Sequence, residues 1–196
     1  MKVVVIQYNA GNIQSVLFAL NRIGVEAIVT GATDVIRTAD KVIFPGVGEA
    51  SSAMNFLKEH KLDEVIKNLQ QPVLGICLGM QLMCEFSEEG NTECLGIFQD
   101  TVKRFESVDT SIKIPQVGWN TITGLKSELF AGLDEKNYCY YVHSYYVPLN
   151  EHTIAVTDYI SPYSAALQKN NFYGVQFHPE KSAEVGEQIL KNFLKL

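Results

Sequence analysis

The stretch Pro72–Cys77 runs from buried, apolar residues straight into the helical pattern of Leu78–Phe86, with no loop residues between. That junction constrains the fold more than any other part of the sequence. A chain that passes directly from strand to helix must turn within a residue or two. Here the turn is Gly75-Ile76-Cys77-Leu78-Gly79, a cysteine with glycine two positions to either side. Larger side chains would collide across so tight a bend, hence the glycines. The pattern is that of a nucleophile elbow on the rim of a sheet.

The rest of the first half supplies a sheet for the elbow to sit on. Lys2–Tyr8, Val25–Thr30 and Lys41–Phe44 read as strands, and Pro45-Gly46-Val47-Gly48 closes the third. Ile13–Ile23 reads as a helix ending at Gly24. Ala50–Leu69 reads as another helix, or as two joined near His60. Such alternation predicts an α/β fold with a mostly parallel central sheet flanked by helices. Beyond Leu95 the strands become shorter and more aromatic. Asp100–Phe105, Tyr138–Val147 and Thr153–Asp158 are expected as added antiparallel strands, and Val185–Leu196 as a closing amphipathic helix. No repeat or linker divides residues 1–196, so a single domain is expected.

The formal net charge is −6, and no Lys/Arg cluster offers a surface to phosphate backbones or anionic lipid. Nucleic-acid and membrane partners are therefore not expected. The apolar N-terminal run is too short for a membrane span or a signal peptide, so a cytoplasmic location is expected. Cys77, Cys84, Cys94 and Cys139 form no C-x-x-C pair, and free thiols are expected rather than disulfides or a metal site. No phosphate-binding loop, dinucleotide fingerprint or metal-ligand cluster appears, and no cofactor is expected.

Cys77 at a helix N-terminus meets unpaired N–H groups and the positive end of the helix dipole, which favour negative charge. The N–H of Leu78 would face an oxyanion forming at the same place. A thiol nucleophile needs an imidazole, and there are four histidines. His60 and His152 stand among polar residues, whereas His143 and His178 end apolar strand-like runs. His178 is followed by Pro179 and Glu180, where proline fixes the backbone so that the carboxylate can set the imidazole tautomer. The order is nucleophile, histidine, acid. In α/β-hydrolases the acid precedes the histidine.

With these residues in place, Gly75–Gln81 together with Gly174-Val175-Gln176-Phe177-His178-Pro179-Glu180 resembles the class I, triad-type glutamine amidotransferases. Gly11-Asn12-Ile13-Gln14-Ser15, Pro115-Gln116-Val117-Gly118-Trp119-Asn120 and Tyr141-Val142-His143-Ser144-Tyr145 narrow the resemblance to the glutaminase subunits of imidazole glycerol phosphate synthase, in histidine biosynthesis. The resemblance covers essentially the whole chain and implies a flavodoxin-like fold. It implies that Cys77 forms a γ-glutamyl thioester, that His178 moves the protons and that Glu180 orients His178. It also implies that Pro45–Gly48 is an oxyanion strand, with Val47 offering an N–H after reorientation beside that of Leu78. Gln81, Glu89, Ser144 and Tyr145 match positions holding the amino-acid end of L-glutamine, with Gly46, Gly48 and His143 in the same binding set. The implied partner is a (β/α)8-barrel synthase chain, joined as a heterodimer, that receives the ammonia.

Asn12, Gln116, Trp119 and Asn120 fall in stretches expected at that partner interface. Trp119 reads equally well as an interface anchor or as a core tryptophan. Two positions depart from the family, which often has Asp at Gln7 and usually His at Gln116. Three other readings share the elbow: a glutaminase serving another synthase, such as one making pyridoxal phosphate; a stand-alone peptidase or γ-glutamyl hydrolase; and a non-catalytic subunit that has kept the fold.

Overall fold

The computed structural model describes residues 1–9 and 12–196, so Gly11 of the first family motif lies outside the described residues. The first half contains β1 (Val3–Ile6), α1 (Ile13–Arg22), β2 (Ala27–Thr30), α2 (Thr33–Arg37), β3 (Lys41–Phe44), α3 (Ala50–Glu59), α4 (Leu62–Lys67), β4 (Val73–Ile76), α5 (Leu78–Leu82) and β5 (Cys84–Ser87). The second half contains β6 (Thr92–Glu93), β7 (Phe98–Arg104), β8 (Gln116–Ile122), β9 (Asn137–His143), β10 (Tyr145–Tyr146), β11 (Thr153–Asp158), β12 (Pro162–Lys169), β13 (Phe172–Val175) and α6 (Ala183–Lys195).

Seven strands make the main sheet, in the order β11-β12-β13-β4-β3-β1-β2. From β13 to β2 all neighbours are parallel, and β12 and β11 extend the sheet antiparallel. Both faces are covered, which is why Val3-Val4-Val5-Ile6 is apolar without alternation. Val4 and Ile6 face the cluster built on α2, α3 and α4. Val3 and Val5 face the one built on α1 and α6. The helical stretch 50–69 breaks at Lys61, whose φ of 57° starts the second helix.

Three expectations need correction. The helix after Cys77 ends at Leu82, not Phe86, because Cys84–Ser87 pairs with β6 and β7 instead. The Leu82, Met83 and Cys84 carbonyls are taken by the N–H groups of Leu95, Ile97, Phe98 and Gly96, which closes the helix off. Of the three expected antiparallel additions only Thr153–Asp158 joins the main sheet. Asp100–Phe105 falls in β7 up to Arg104, inside a separate four-stranded sheet ordered β10-β7-β5-β6. Tyr138–Val147 is not one strand but two, interrupted at Ser144, with β9 pairing β8 in a two-stranded ribbon.

The end of β3 and the elbow touch backbone to backbone. A Cβ at Gly79 would overlap Phe44 O, and one at Gly46 would come within 2.5 Å of Gly79 N. Gly96 has a φ of +69° but open space around it. Gly79→Ala should therefore cost about 3 kcal/mol or more, because strand and elbow would have to part. Gly96→Ala should cost only the roughly 1–2 kcal/mol of a left-handed alanine. Urea unfolding of the two variants checks the contrast.

Candidate active site

Cys77 closes β4 with φ 51° and ψ −108°, a conformation that L residues seldom adopt. The strain holds its sulfur out of both strand and helix. Next to it, β13 runs parallel to β4 with Gly174 opposite Gly75 and Val175 opposite Ile76. Cys77 N–H donates to Val175 O at 2.8 Å. The chain leaving β13 is thus delivered to the elbow, and Gln176 and His178 arrive beside the sulfur.

His178 is fixed from behind. Its backbone N–H donates to Tyr140 O at 2.9 Å, and its ring Nδ1–H donates to Glu180 Oε1 at 2.7 Å. Pro179–Lys181 forms a single 3-10 turn, which folds Glu180 back onto the ring as the Pro-Glu sequence implies. With Nδ1 committed, Nε2 is the nitrogen left to exchange protons. It is buried and has no hydrogen-bond partner among the described residues. Burial pushes the imidazole pKa down, but the charge of Cys77 and the bond to Glu180 outweigh it and hold it up at about 10. A charged sulfur on Cys77, together with Glu180, thus holds the proton on this ring.

A cleft of about 320 Å³ opens over Cys77, lined by Val47, Gly48, Cys77, Leu78, Gln81, Glu89, Pro115, Val142, His143, Ser144 and Tyr145. The structure thus brings Gly48, Gln81, Glu89, His143, Ser144 and Tyr145 of the expected glutamine set to one place. Gly46 is the exception, buried against the elbow instead of lining the cleft. Glu89 Oε2 accepts Ala50 N–H at 2.9 Å, and burial raises its carboxyl pKa. His143 donates Nδ1–H to Tyr145 O at 2.7 Å and sits 3.2 Å from Tyr163 Oη through Nε2. Burial pushes His143 down to about 4, so it is neutral where His178 is charged. Among the described residues no three His, Cys, Asp or Glu side chains gather as metal ligands.

Of the expected oxyanion pair, Leu78 N–H is already engaged, donating to Gly46 O at 3.3 Å. Val47 is exposed at the mouth of the cleft.

The model of the class-I glutamine amidotransferase family matches residues 4–196. The chain belongs to the class-I glutamine amidotransferase family. It is 64% identical over 196 residues to the imidazole glycerol phosphate synthase subunit HisH of Bacteroides fragilis, with all of both chains covered. The protein of the same name from Haemophilus influenzae is 47% identical, with 100% of this chain and 98% of that one covered. A solved crystal structure of a glutamine amidotransferase superposes with a TM-score of 0.75 at 16% identity, covering 100% of this chain and 98% of that one. At that identity the likeness speaks for the amidotransferase fold alone.

The residues expected at an amidotransferase partner surface divide. Trp119 is 53% exposed and packs edge-to-face on Tyr140 at 5.9 Å, so it is a surface residue and not a core tryptophan. Asn120 is half-buried and donates to Asp158 O at 2.9 Å, and Asn12 caps α1 by accepting Ser15 N–H. Gln116 corrects the expectation: it is only 3% exposed, and its Oε1 accepts from Tyr163 Oη at 3.0 Å. The strand's alternation explains it, since Gln116 points to the face opposite Val117.

Sequence reasoning assigned no role to Gln176, yet its Nε2 lies 3.6 Å from Cys77 Sγ. The available signal was a polar side chain inside the otherwise apolar run Phe172–Phe177.

His143 gives the site a pH dependence with a definite sign. Unfolded, it binds a proton below about 6.5, whereas folded it resists until about 4. The stability it permits is complete above about 6.5 and lost as pH falls towards about 4. His143→Gln keeps a donor for Tyr145 O but does not titrate. Its melting temperature should drop less between pH 7 and pH 5 than that of the unaltered chain. An equal drop in both would mean that His143 titrates normally.

Proposed function

We infer that this chain, read as a single domain, is the glutaminase subunit of an imidazole glycerol phosphate synthase. The observation that carries the reading is the buried His178–Glu180 pair set against an elbow cysteine at the floor of a cleft of about 320 Å³. Identity of 64% along the full length with a subunit of that name supports the choice of synthase over a pyridoxal-phosphate-type or stand-alone glutaminase.

The residues present account for each bond change. The sulfur of Cys77 attacks the amide carbon of glutamine, and the carbonyl electrons move to oxygen. His178 gives its Nε2 proton to the amide nitrogen, the C–N bond breaks and ammonia leaves. The remaining γ-glutamyl thioester is attacked by water, which passes a proton to His178. The C–S bond then breaks, releasing glutamate and returning the sulfur to the protonated His178 beside it.

The oxyanion site is where these steps are regulated. The Gly46–Val47 peptide carries both the carbonyl that occupies Leu78 N–H and the N–H of Val47, pointing opposite ways. One flip of that peptide frees the first donor and presents the second. Glycine on both sides of Val47, with Gly48 at φ 129°, permits such a turn. A partner drives it only by binding the flipped state more tightly.

The partner surface is the outer face of the β8–β9 ribbon. Val117 and Trp119 there are 60% and 53% exposed, and Tyr138 is exposed beside them. Val142, opposite Val117 in the same ribbon, lines the cleft, so a partner seated on this face adjoins the sulfur. A (β/α)8-barrel synthase chain in a heterodimer fits that arrangement.

Reconstituting the complex with a barrel synthase chain tests the reading in two arms. Cys77→Ala should abolish synthesis from glutamine yet leave synthesis from ammonium salts intact, and Trp119→Ala should weaken retention of the barrel. Glutamine-dependent synthesis by Cys77→Ala near the unaltered rate would overturn the assignment of the nucleophile. Undiminished retention by Trp119→Ala would remove the ribbon from the interface.

A further inference from the structure

We propose that Gln176 is a further catalytic residue, whose side-chain amide N–H donates to the sulfur of Cys77, and that Gln81 is the positioning residue that locks this amide the right way round. The inference rests on the reading of Cys77 as the nucleophile and concerns what steadies its charge.

The relay is short and entirely inside the protein. Gln81 Nε2 donates to Tyr145 O at 2.9 Å and to Gln176 Oε1 at 2.9 Å. Gln176 Nε2 in turn reaches Cys77 Sγ at 3.6 Å. Gln176 is fully buried and Gln81 nearly so, so bulk water does not compete for these groups.

An amide's oxygen and nitrogen are close in size, so its orientation has to be argued from its partners. Here one partner is fixed by chemistry, because Tyr145 O is a backbone carbonyl and can only accept. If Gln81 were turned over, its oxygen would face that carbonyl. If Gln176 were turned over, its NH2 would face the NH2 of Gln81 and its oxygen would face the sulfur. Only one arrangement satisfies every group, and it points an N–H at Cys77. The carbonyl of Tyr145 therefore sets the polarity at a sulfur it does not touch.

The chemical use follows from when the sulfur is charged. A hydrogen bond to a charged acceptor is stronger than one to a neutral acceptor. The thiol form donates instead, to Val142 O at 3.9 Å. The Gln176 donor thus favours the attacking thiolate over the thiol. It serves again in the second half-reaction, when thioester hydrolysis returns the electron pair to sulfur and needs a stabilised leaving group. The resemblance gives Gln81 a role in holding substrate. Its two N–H donors are already committed within the protein, which leaves its oxygen for that purpose.

Alkylation of Cys77 by iodoacetamide, without glutamine, reads the sulfur apart from substrate binding. The full chain is treated at pH 7 and the rate is followed on the Cys77 peptide by mass spectrometry. Gln176→Leu should slow alkylation about tenfold, the size expected for losing a donor to a charged group. Gln176→Glu keeps an acceptor for Gln81 but turns a carboxylate oxygen towards the sulfur, and should be slower than Gln176→Leu. A residue that merely filled space would give the opposite order, with the better mimic reacting faster. Gln81→Met leaves Gln176 in place but removes its lock, and should also react more slowly than the unaltered chain. Thermal unfolding identifies which variants are folded, and the comparison is made among those. Cys77 alkylating at the unaltered rate in folded Gln176→Leu or folded Gln81→Met would overturn the proposal, as would Glu reacting no slower than Leu. Either result would leave Cys77 standing as the nucleophile, whose own failure would show instead as glutamine use without it.

Discussion

The site depends on a close approach of backbone to backbone, where Phe44 O at the end of β3 lies against Gly79 at the start of α5. Because no side chain intervenes, the strand–helix turn can be tight enough to place Cys77 in its strained conformation. The same contact brings Pro45–Gly48 onto the elbow, so that the Gly46 carbonyl meets Leu78 N–H. The elbow that carries Cys77 and the Pro45–Gly48 loop are therefore one packed unit. A change in either is felt by the other, since interiors packed at this density do not deform gradually.

Electrostatics then divides the labour between two histidines, both buried in the neighbourhood of the sulfur. His178, backed by Glu180 and facing Cys77, carries a proton at neutral pH. His143, backed by a neutral carbonyl and a tyrosine, does not. Burial acts on both in the same direction, and the neighbouring charge decides the outcome. They arrive on different elements: β9 ends at His143, and β13 leads into His178.

Much of this was legible in the sequence because it is encoded locally. Paired glycines around Cys77 and the Pro-Glu that follows His178 are short-range instructions, and the parallel strands announce themselves as β-branched runs. What escaped was encoded between distant segments. Cys84–Ser87 continues an apolar helical pattern, yet pairing with β6 and β7 draws it into a strand. Pro162–Lys169 lacks the alternation of a half-exposed strand, because Tyr163–Leu167 is buried in the main sheet. Gln116 stands between exposed neighbours in sequence, but strand alternation turns it inwards onto Tyr163. Gln176 sits inside a recognised motif, and only the third dimension reveals that Gln81 and Tyr145 aim it.

Taken with membership of the class-I glutamine amidotransferases, the geometry reduces to one chemical claim: the γ-carbonyl of glutamine is transferred to Cys77 before water receives it. Acid quenching of the chain with its synthase partner during turnover of glutamine, followed by mass spectrometry of the cysteine peptides, tests that claim most directly. A γ-glutamyl adduct is expected at Cys77, and none at Cys84, Cys94 or Cys139. An adduct on any other residue, with Cys77 unmodified while glutamate accumulates, would contradict it.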